Sequence, residues 1–332
     1  PNTVAISEDT NELVQGLFIT ENLGEQALKG VSHAVNIYKV IAESNFLSEF
    51  DVRRKNGLLP IVGRNRELDF LTECWEQAKT GIGHIVLLSG EAGVGKSRVV
   101  SEFMSKVAKE PQHLRLYHCS SVHTNTAFYP IVSYLKYLLN LKNGDSDEVK
   151  YKRVEAFFDE FALPLGKFAP LFAPLLGIKV VGEEPVTLSP DKTKNVIFQA
   201  WLGLMEKMAE EHPLLLIFED THWIDPSTQE MLNQISSKLA SKRILLLITS
   251  RPGYQFNVDE GVLLQSLTLD RLDQDTSYSM VSQLAGGRSL PSELIHELVA
   301  KTDGIPPVSY SHLRAHETKT RISGCGVGGF MG

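Results

Sequence analysis

From residue 59 onward, short runs of uninterrupted apolar residues alternate with stretches whose apolar positions recur every three or four residues. An unbroken short run reads as a strand, and the three-and-four spacing reads as one face of a helix. The pattern predicts strands over 85–88, 114–118, 214–218 and 244–248, and helices over 66–79, 97–108, 193–210 and 228–239. In the helix over 97–108, Val99, Val100, Phe103, Met104 and Val107 form a stripe suited to core packing. The runs at 214–218 and 244–248 contain no polar position, as expected of central strands covered on both faces. Strands that alternate with helices imply right-handed crossovers, so the expected class is α/β, with a central, mostly parallel sheet flanked by helices.

The flanks read differently. Residues 1–44 predict a short helix around 10–14 and two strands, 17–20 and 35–41, joined through a turn region containing Gly24, Lys29 and Gly30. This piece is too short for a whole domain, and a start without Met is expected of a segment that begins inside a larger protein. Residues 45–58, with Asp51, Arg53, Arg54, Lys55, Asn56 and Gly57, show no apolar period and read as a linker. The core is expected over 59–265, with a Pro-rich insertion around Pro164, Pro170, Pro174, Pro185 and Pro190. Short helices over 273–302, one starting at Leu290-Pro291-Ser292, suggest a helical lid within 266–307. From about residue 308 the string VSYSHLRAHET resembles translated sequencing-adapter DNA, so 308–332 is read as a non-native tail outside the fold.

Composition narrows the class. At 332 residues the chain suits about two domains of ~150 residues. A net charge of −7 argues against a broad nucleic-acid surface. No apolar run approaches the ~20 residues of a membrane span, and no signal peptide opens the chain, so a cytoplasmic protein is expected. Cys74, Cys119 and Cys325 are an odd, scattered set, which suits reduced thiols. Cys119 with His118 and His123 lacks the fourth ligand of a tetrahedral zinc site.

Chemistry concentrates in two places. Gly90-Glu91-Ala92-Gly93-Val94-Gly95-Lys96-Ser97 follows a predicted strand and opens a predicted helix, the spacing and context of a phosphate-binding loop. The glycines allow the backbone to curl so that successive N–H groups point at phosphate oxygens. Lys96 is then placed against the β/γ phosphates, Ser97 offers its hydroxyl to Mg²⁺, and the helix adds the positive end of its dipole. The ligand expected is a nucleoside triphosphate, ATP with Mg²⁺. Such a loop needs a partner strand ending in acid, and the run at 214–218 ends in Glu219-Asp220. The usual order is Asp followed by an acid, whereas here Glu comes first, so either residue could hold the metal and the other act as general base. Asp225 or Ser227 could cap the following helix, and His222 could meet a metal-bound water or a neighbouring subunit, or simply pack. The strand at 244–248 leads to Thr249-Ser250-Arg251, which makes Arg251 a candidate sensor of the γ phosphate.

The elements PIVGRNREL (60–68), GEAGVGKS, CSSVHTNTAFYPI (119–131), LLLIFEDTHWIDPST (214–228), ILLLITSRP (244–252) and KTDGIP (301–306) resemble the P-loop ATPase of the AAA/STAND group that follows class III adenylate or guanylate cyclase domains. The resemblance covers about residues 59–306 and implies that Val62, Gly63 and Arg64 lie beside the adenine. After KTDGIP the chain departs from the group, leaving the lid truncated. Separately, VAISEDT, LGEQALKGV and AVNIYKV resemble the last hairpin of a class III cyclase domain, with Lys29 matching a lysine that contacts substrate phosphate there. The metal-binding aspartates of such a cyclase would lie upstream of Pro1, so no cyclase activity is expected of this chain alone. The resemblance implies an ATP-hydrolysing switch for an attached cyclase, a downstream helical-repeat region and a possible homo-oligomer, while charge and the lack of a long apolar run leave neither nucleic acid nor membrane expected as partner. The alternatives are a transcriptional regulator lacking its DNA-binding domain, a scaffold that holds nucleotide without hydrolysis, and a DNA-loading ATPase of the origin-recognition type.

Overall fold

The unbroken apolar runs lie side by side in one parallel sheet. A computed structural model describes residues 3–14, 18–26, 34–43, 61–142, 144–160, 168–179, 189–258, 262–284, 293 and 299. Lys29, the linker over 45–58, Leu290 to Ser292, the KTDGIP segment, Cys325 and the tail over 308–332 lie outside them. The chain divides into two compact units, residues 1–58 with 130–189, and residues 59–129 with 190–332.

In the first unit, β1 (Ala5–Ser7), α1 (Glu8–Leu13), β2 (Phe18–Gln26) and β3 (Val35–Glu43) build an antiparallel sheet in the order β1-β3-β2. The second unit opens with α2 (Asn65–Lys79), β4 (His84–Gly90), α3 (Lys96–Val107) and β5 (His113–His118). To the first unit also belong α4 (Tyr129–Leu138) from Pro130 on, α5 (Asp147–Glu160) and, within the Pro-rich stretch, α6 (Ala169–Leu175). Phe158 on α5 meets Phe172 on α6 at a ring-centroid distance of 4.8 Å, an aromatic contact that no period in the sequence announced. Then come α7 (Pro190–Glu211), β6 (Leu214–Glu219), a 3₁₀ turn at Thr221–Trp223, α8 (Pro226–Ser236), β7 (Ile244–Ser250), β8 (Leu263–Leu269) and α9 (Gln274–Leu284).

The five-stranded sheet runs β5-β6-β7-β4-β8, every pairing parallel. This is the expected α/β class, with helices covering a central sheet. The strand that ends in acid is not the neighbour of the strand that leads into the loop: β7 lies between β6 and β4. The fifth strand, β8, crosses position 265, where the pattern had separated core from lid. Its exposure alternates along Gln265–Leu269, as on a half-covered edge strand, and polar residues at 265, 266 and 268 leave no unbroken apolar run.

Strand alternation gives the sheet its two faces. Val86, Leu88, Leu215, Ile217, Leu245 and Leu247 pack against Leu68, Leu71 and Trp75 of α2 and Val99, Val100 and Phe103 of α3. Each of these large side chains contributes about 1.5–3 kcal/mol through burial. The other face holds Phe218, stacked on Tyr117 at 4.6 Å, with Trp201 of α7 donating its indole N–H to the Tyr117 hydroxyl at 3.2 Å. Among the described residues no helix is long and apolar enough to cross a membrane.

Candidate functional site

The loop from Gly90 to Ser97 leaves the carboxyl edge of β4 and enters α3 through two glycines in the left-handed region, Gly93 at φ 77° and Gly95 at φ 106°. Gly90 is needed for a different reason: a Cβ there would stand 2.8 Å from Val94 Cγ1 and 2.9 Å from the Leu269 carbonyl oxygen on β8. Glu91, Ala92 and Gly93 are exposed, and Val94 is buried in the core beneath them. The Lys96 side chain folds into the loop and donates from Nζ to the carbonyl oxygens of Gly90 (2.8 Å) and Glu91 (3.0 Å). Burial lowers the Lys96 pKa, and Asp220 is the carboxylate that opposes this most, ahead of Glu91 and Glu219. Ser97 is half-buried in the first turn of α3.

Glu219 closes β6 with 3% of its surface exposed. Following the alternation from Leu215 and Ile217, it belongs to the face covered by α3. Its register partner on β5 is His118, whose Nδ1 lies 3.3 Å from Glu219 Oε2. Asp220 turns the chain out of the sheet at φ 57°, a left-handed conformation that Asp tolerates better than most residues. Thr249 on β7 secures that turn twice: its hydroxyl accepts the Asp220 N–H at 3.0 Å, and its carbonyl accepts the Thr221 hydroxyl at 3.1 Å. The intervening strand therefore ties the Asp220 turn to the sheet.

Beyond the acids, Asp225 is the cap of α8 and Ser227 is not. Its Oδ1 accepts the Thr228 N–H at 3.0 Å and its Oδ2 the Thr228 hydroxyl at 2.6 Å. His222 tilts against Trp223 with ring centroids 4.9 Å apart. Arg251, exposed at the end of β7, lays its guanidinium over the Trp223 ring with Cζ 5.6 Å from the centroid. The charges of Asp220, Arg251 and Lys96 all reach His222, whose pKa burial lowers.

Of the segment read as an adenine neighbour, Val62 is half-buried and Gly63 exposed, but the Arg64 guanidinium is committed inside the protein. It pairs with Glu67 at 3.0 Å and donates to the carbonyls of Val94 (3.2 Å) and Asp270 (2.6 Å), pinning the phosphate loop to the end of β8. Gly63 adopts φ 70° against α9, where a Cβ would meet Thr276 Cγ2 at 2.2 Å.

The sequence reading missed Thr249 and Thr276 as functional contacts and considered His118 only as a metal ligand. His118 could have been found by lining up the last residues of two predicted strands. The cysteines at 74 and 119 are buried free thiols, and burial pushes Cys74 up to about 11. His123 stacks on Tyr129 at 4.0 Å, apart from the His118–Glu219 pair. Among the described residues no cluster of three or more His, Cys, Asp or Glu side chains could hold a metal by itself. One hydroxyl and one or two carboxylates still suit Mg²⁺, which keeps waters and takes substrate phosphates as ligands.

A family model described as "AAA ATPase domain" matches residues 60–248, more than half of the chain. The uncharacterized protein R02095 of Rhizobium meliloti (strain 1021) is 25% identical over 278 residues, 83% of this chain and 26% of that protein. The chain thus spans about a quarter of the length of the curated relative it matches. Among solved structures, the Walker-type ATPase paby2304 of Pyrococcus abyssi is 18% identical with a TM-score of 0.45, over 76% of this chain and 68% of that one. The STAND protein PH0952 of Pyrococcus horikoshii, with a tetratricopeptide repeat sensor, is 15% identical with a TM-score of 0.41, over 75% and 29%. The Aeropyrum pernix Orc1 protein in complex with DNA is 13% identical with a TM-score of 0.45, over 79% and 61%.

Proposed function

Because the chain belongs to the AAA ATPase domain family, we propose that it binds ATP with Mg²⁺, hydrolyses it, and serves as a nucleotide-driven switch inside a larger signalling protein. The observation that carries this reading is the buried Lys96 ammonium, held by the loop carbonyls and facing the charges of Asp220, Glu219 and Arg251 from two other strands. A cation held inside a curled backbone, next to a helix N-terminus, suits a phosphate chain. Ser97 with Asp220 and Glu219 would hold Mg²⁺, which when bound neutralises phosphate charge. In the reaction ATP and water give ADP, phosphate and a proton, with Lys96 and Arg251 offsetting charge on the phosphoryl group.

Val62 and Gly63 form the adenine side, and α9 rests on Gly63 through Thr276, so nucleotide occupancy would bias the position of that helix. The attachment to a nucleotide cyclase rests on the resemblance of residues 4–40 alone, and the helical-repeat region and self-association on the resemblance of the ATPase part. Holding without hydrolysis is a second reading, favoured by the Glu-Asp order and by the tie between Glu219 and His118.

Phosphate release and nucleotide affinity of the purified chain, with Glu219→Gln and Asp220→Asn made separately, test these points. The variant that loses Mg²⁺-dependent affinity identifies the ion's carboxylate, and the one that binds but does not turn over identifies the residue acting on water. Affinity without turnover in the parent supports the holding role. A folded chain indifferent to ATP and ADP at millimolar levels with magnesium overturns the assignment altogether.

A further inference from the structure

Arg251 stands exposed just beyond the end of β7, yet both its backbone and its side chain are held. Strand register fixes where it leaves the sheet. Ser250, the residue before it, pairs with Ser89 on β4, which directly precedes the first glycine of the phosphate loop. On the other side Ile248 pairs with Phe218 on β6, so Arg251 emerges between Gly90 and the Asp220 turn. The residues from Arg251 to Tyr254 form a tight turn. Tyr254 N–H donates to the Arg251 carbonyl at 3.4 Å, and Gly253 takes φ 89° after Pro252, the pattern of a type II turn. The Tyr254 hydroxyl then donates to Gln229 Oε1 on α8 at 2.5 Å, which anchors the turn to that helix. At its other end the Arg251 guanidinium lies over the half-buried Trp223 ring, with Cζ 5.6 Å from the centroid, within reach of a cation–π contact. The ring has its own support. Trp223 N–H donates to the Asp220 carbonyl at 2.9 Å, and that turn is tied to Thr249, two residues before Arg251 in the chain.

We infer that Trp223 is the positioning residue for Arg251, holding its guanidinium ready at the mouth of the phosphate loop, and that this pair separates a bound triphosphate from a diphosphate. A free arginine side chain loses much rotamer freedom when it meets a ligand, whereas one already laid on an aromatic face loses less. The Trp223 ring therefore orders the cation before the nucleotide arrives. The third phosphate of ATP gains that pre-placed charge, and ADP, which ends one phosphate short, gains little from it. This inference rests on the reading that Arg251 offsets charge on the phosphoryl group, and it adds the residue that keeps the charge in place.

The test measures affinity for ADP and for a non-hydrolysable ATP analogue, each with Mg²⁺, by calorimetry on the full chain and its variants. Arg251→Gln should weaken the analogue and leave ADP within about twofold of the parent. Trp223→Leu should lower the ratio of analogue affinity to ADP affinity by about 3- to 10-fold, the size of one partly exposed cation–π contact. Trp223→Phe keeps a ring with a weaker face and should fall between the parent and Trp223→Leu, a graded rescue that a packing role would not produce. With Arg251→Gln already in place, Trp223→Leu should change the ratio no further, because the coupling vanishes with the cation. Should Trp223→Leu not fold, Trp223→Met fills the space without an aromatic face and takes its place. A fall of less than about threefold, with Arg251→Gln effective, overturns the inference and leaves the role of Arg251 standing. Equal losses for both nucleotides, or the same loss with and without Arg251, also overturn it, since they mark a packing role. An unchanged ratio in Arg251→Gln overturns the inference together with the role given to Arg251.

Discussion

Asp225 Oδ1 accepts the backbone N–H of Phe128 at 3.0 Å, joining the cap of α8 to the end of the loop that leaves β5. Phe128 is held there at φ 57°, a conformation that costs a bulky residue energy unless its surroundings impose it. The same carboxylate, 1% exposed, also accepts from Thr228 N and Oγ1. Asp225→Ala should therefore remove a helix cap and strand a buried amide together, a loss of about 2–4 kcal/mol in chemical denaturation. A loss under 1 kcal/mol would mean that water replaces the carboxylate at Phe128.

Removing the loop lysine separates binding from folding. In Lys96→Ala the carbonyls of Gly90 and Glu91 lose a charged donor, and the nucleotide loses its main cationic contact inside the loop. Charged hydrogen bonds of about 1.5–3 kcal/mol translate into ATP affinity weaker by roughly 10- to 150-fold, measured by calorimetry. Since Lys96 is buried at a cost to its charged form, the unfolding midpoint should change little or rise. Unchanged ATP affinity would show that the loop does not hold phosphate.

The contact between Gly63 and α9 gives a paired test. A side chain at Gly63 would enter a left-handed backbone position and overlap Thr276 Cγ2. Gly63→Ala should cost about 1–3 kcal/mol of stability or release α9 and weaken nucleotide binding. Thr276→Ala in the same chain should relieve the steric part and leave the backbone part, which a double-mutant cycle reads as coupling. Strict additivity of the two changes would sink the idea that α9 rests on this glycine.

Acid should weaken the fold. His84, 1% exposed at the start of β4, has its pKa lowered by burial, with Gln265 opposing the effect less strongly. In the unfolded chain the same ring takes a proton near pH 6.5. Between the lowered folded value and about 6.5 the unfolded state therefore binds more protons, so stability rises with pH across that window and is lost on acidification. His113 and His222 shift in the same direction, with burial the largest cause in each. The urea midpoint should be lower at about pH 5.5 than at about pH 7.5, and His84→Leu should flatten part of that slope. A midpoint that holds or rises on acidification would contradict the assigned direction for these rings.

Some parts of the site were legible before the fold and others were not, and the division follows distance along the chain. The loop from Gly90 to Ser97 is a local event: glycines at set positions, a strand before and a helix after, so its curl is written in eight consecutive residues. The acids at 219 and 220 were legible for the same reason, because they follow directly on an unbroken apolar run. Edge strand β8 was not, since exposed positions interrupt it and polar residues at 265, 266 and 268 break its apolar run. The resemblance set Arg64 beside the adenine, and no local pattern announced that its guanidinium reaches Asp270, 206 residues away in the chain.

The sequence by itself determined the α/β class, the phosphate loop and the acidic strand end, since backbone conformation and hydrophobic period are properties of neighbours. Only the tertiary structure decided that β7 separates loop from acids, that Thr249 on it holds the Asp220 turn, and that His118 pairs with Glu219. Strand order and side-chain partnership depend on which distant surfaces bury each other best, and no short window of residues records that choice.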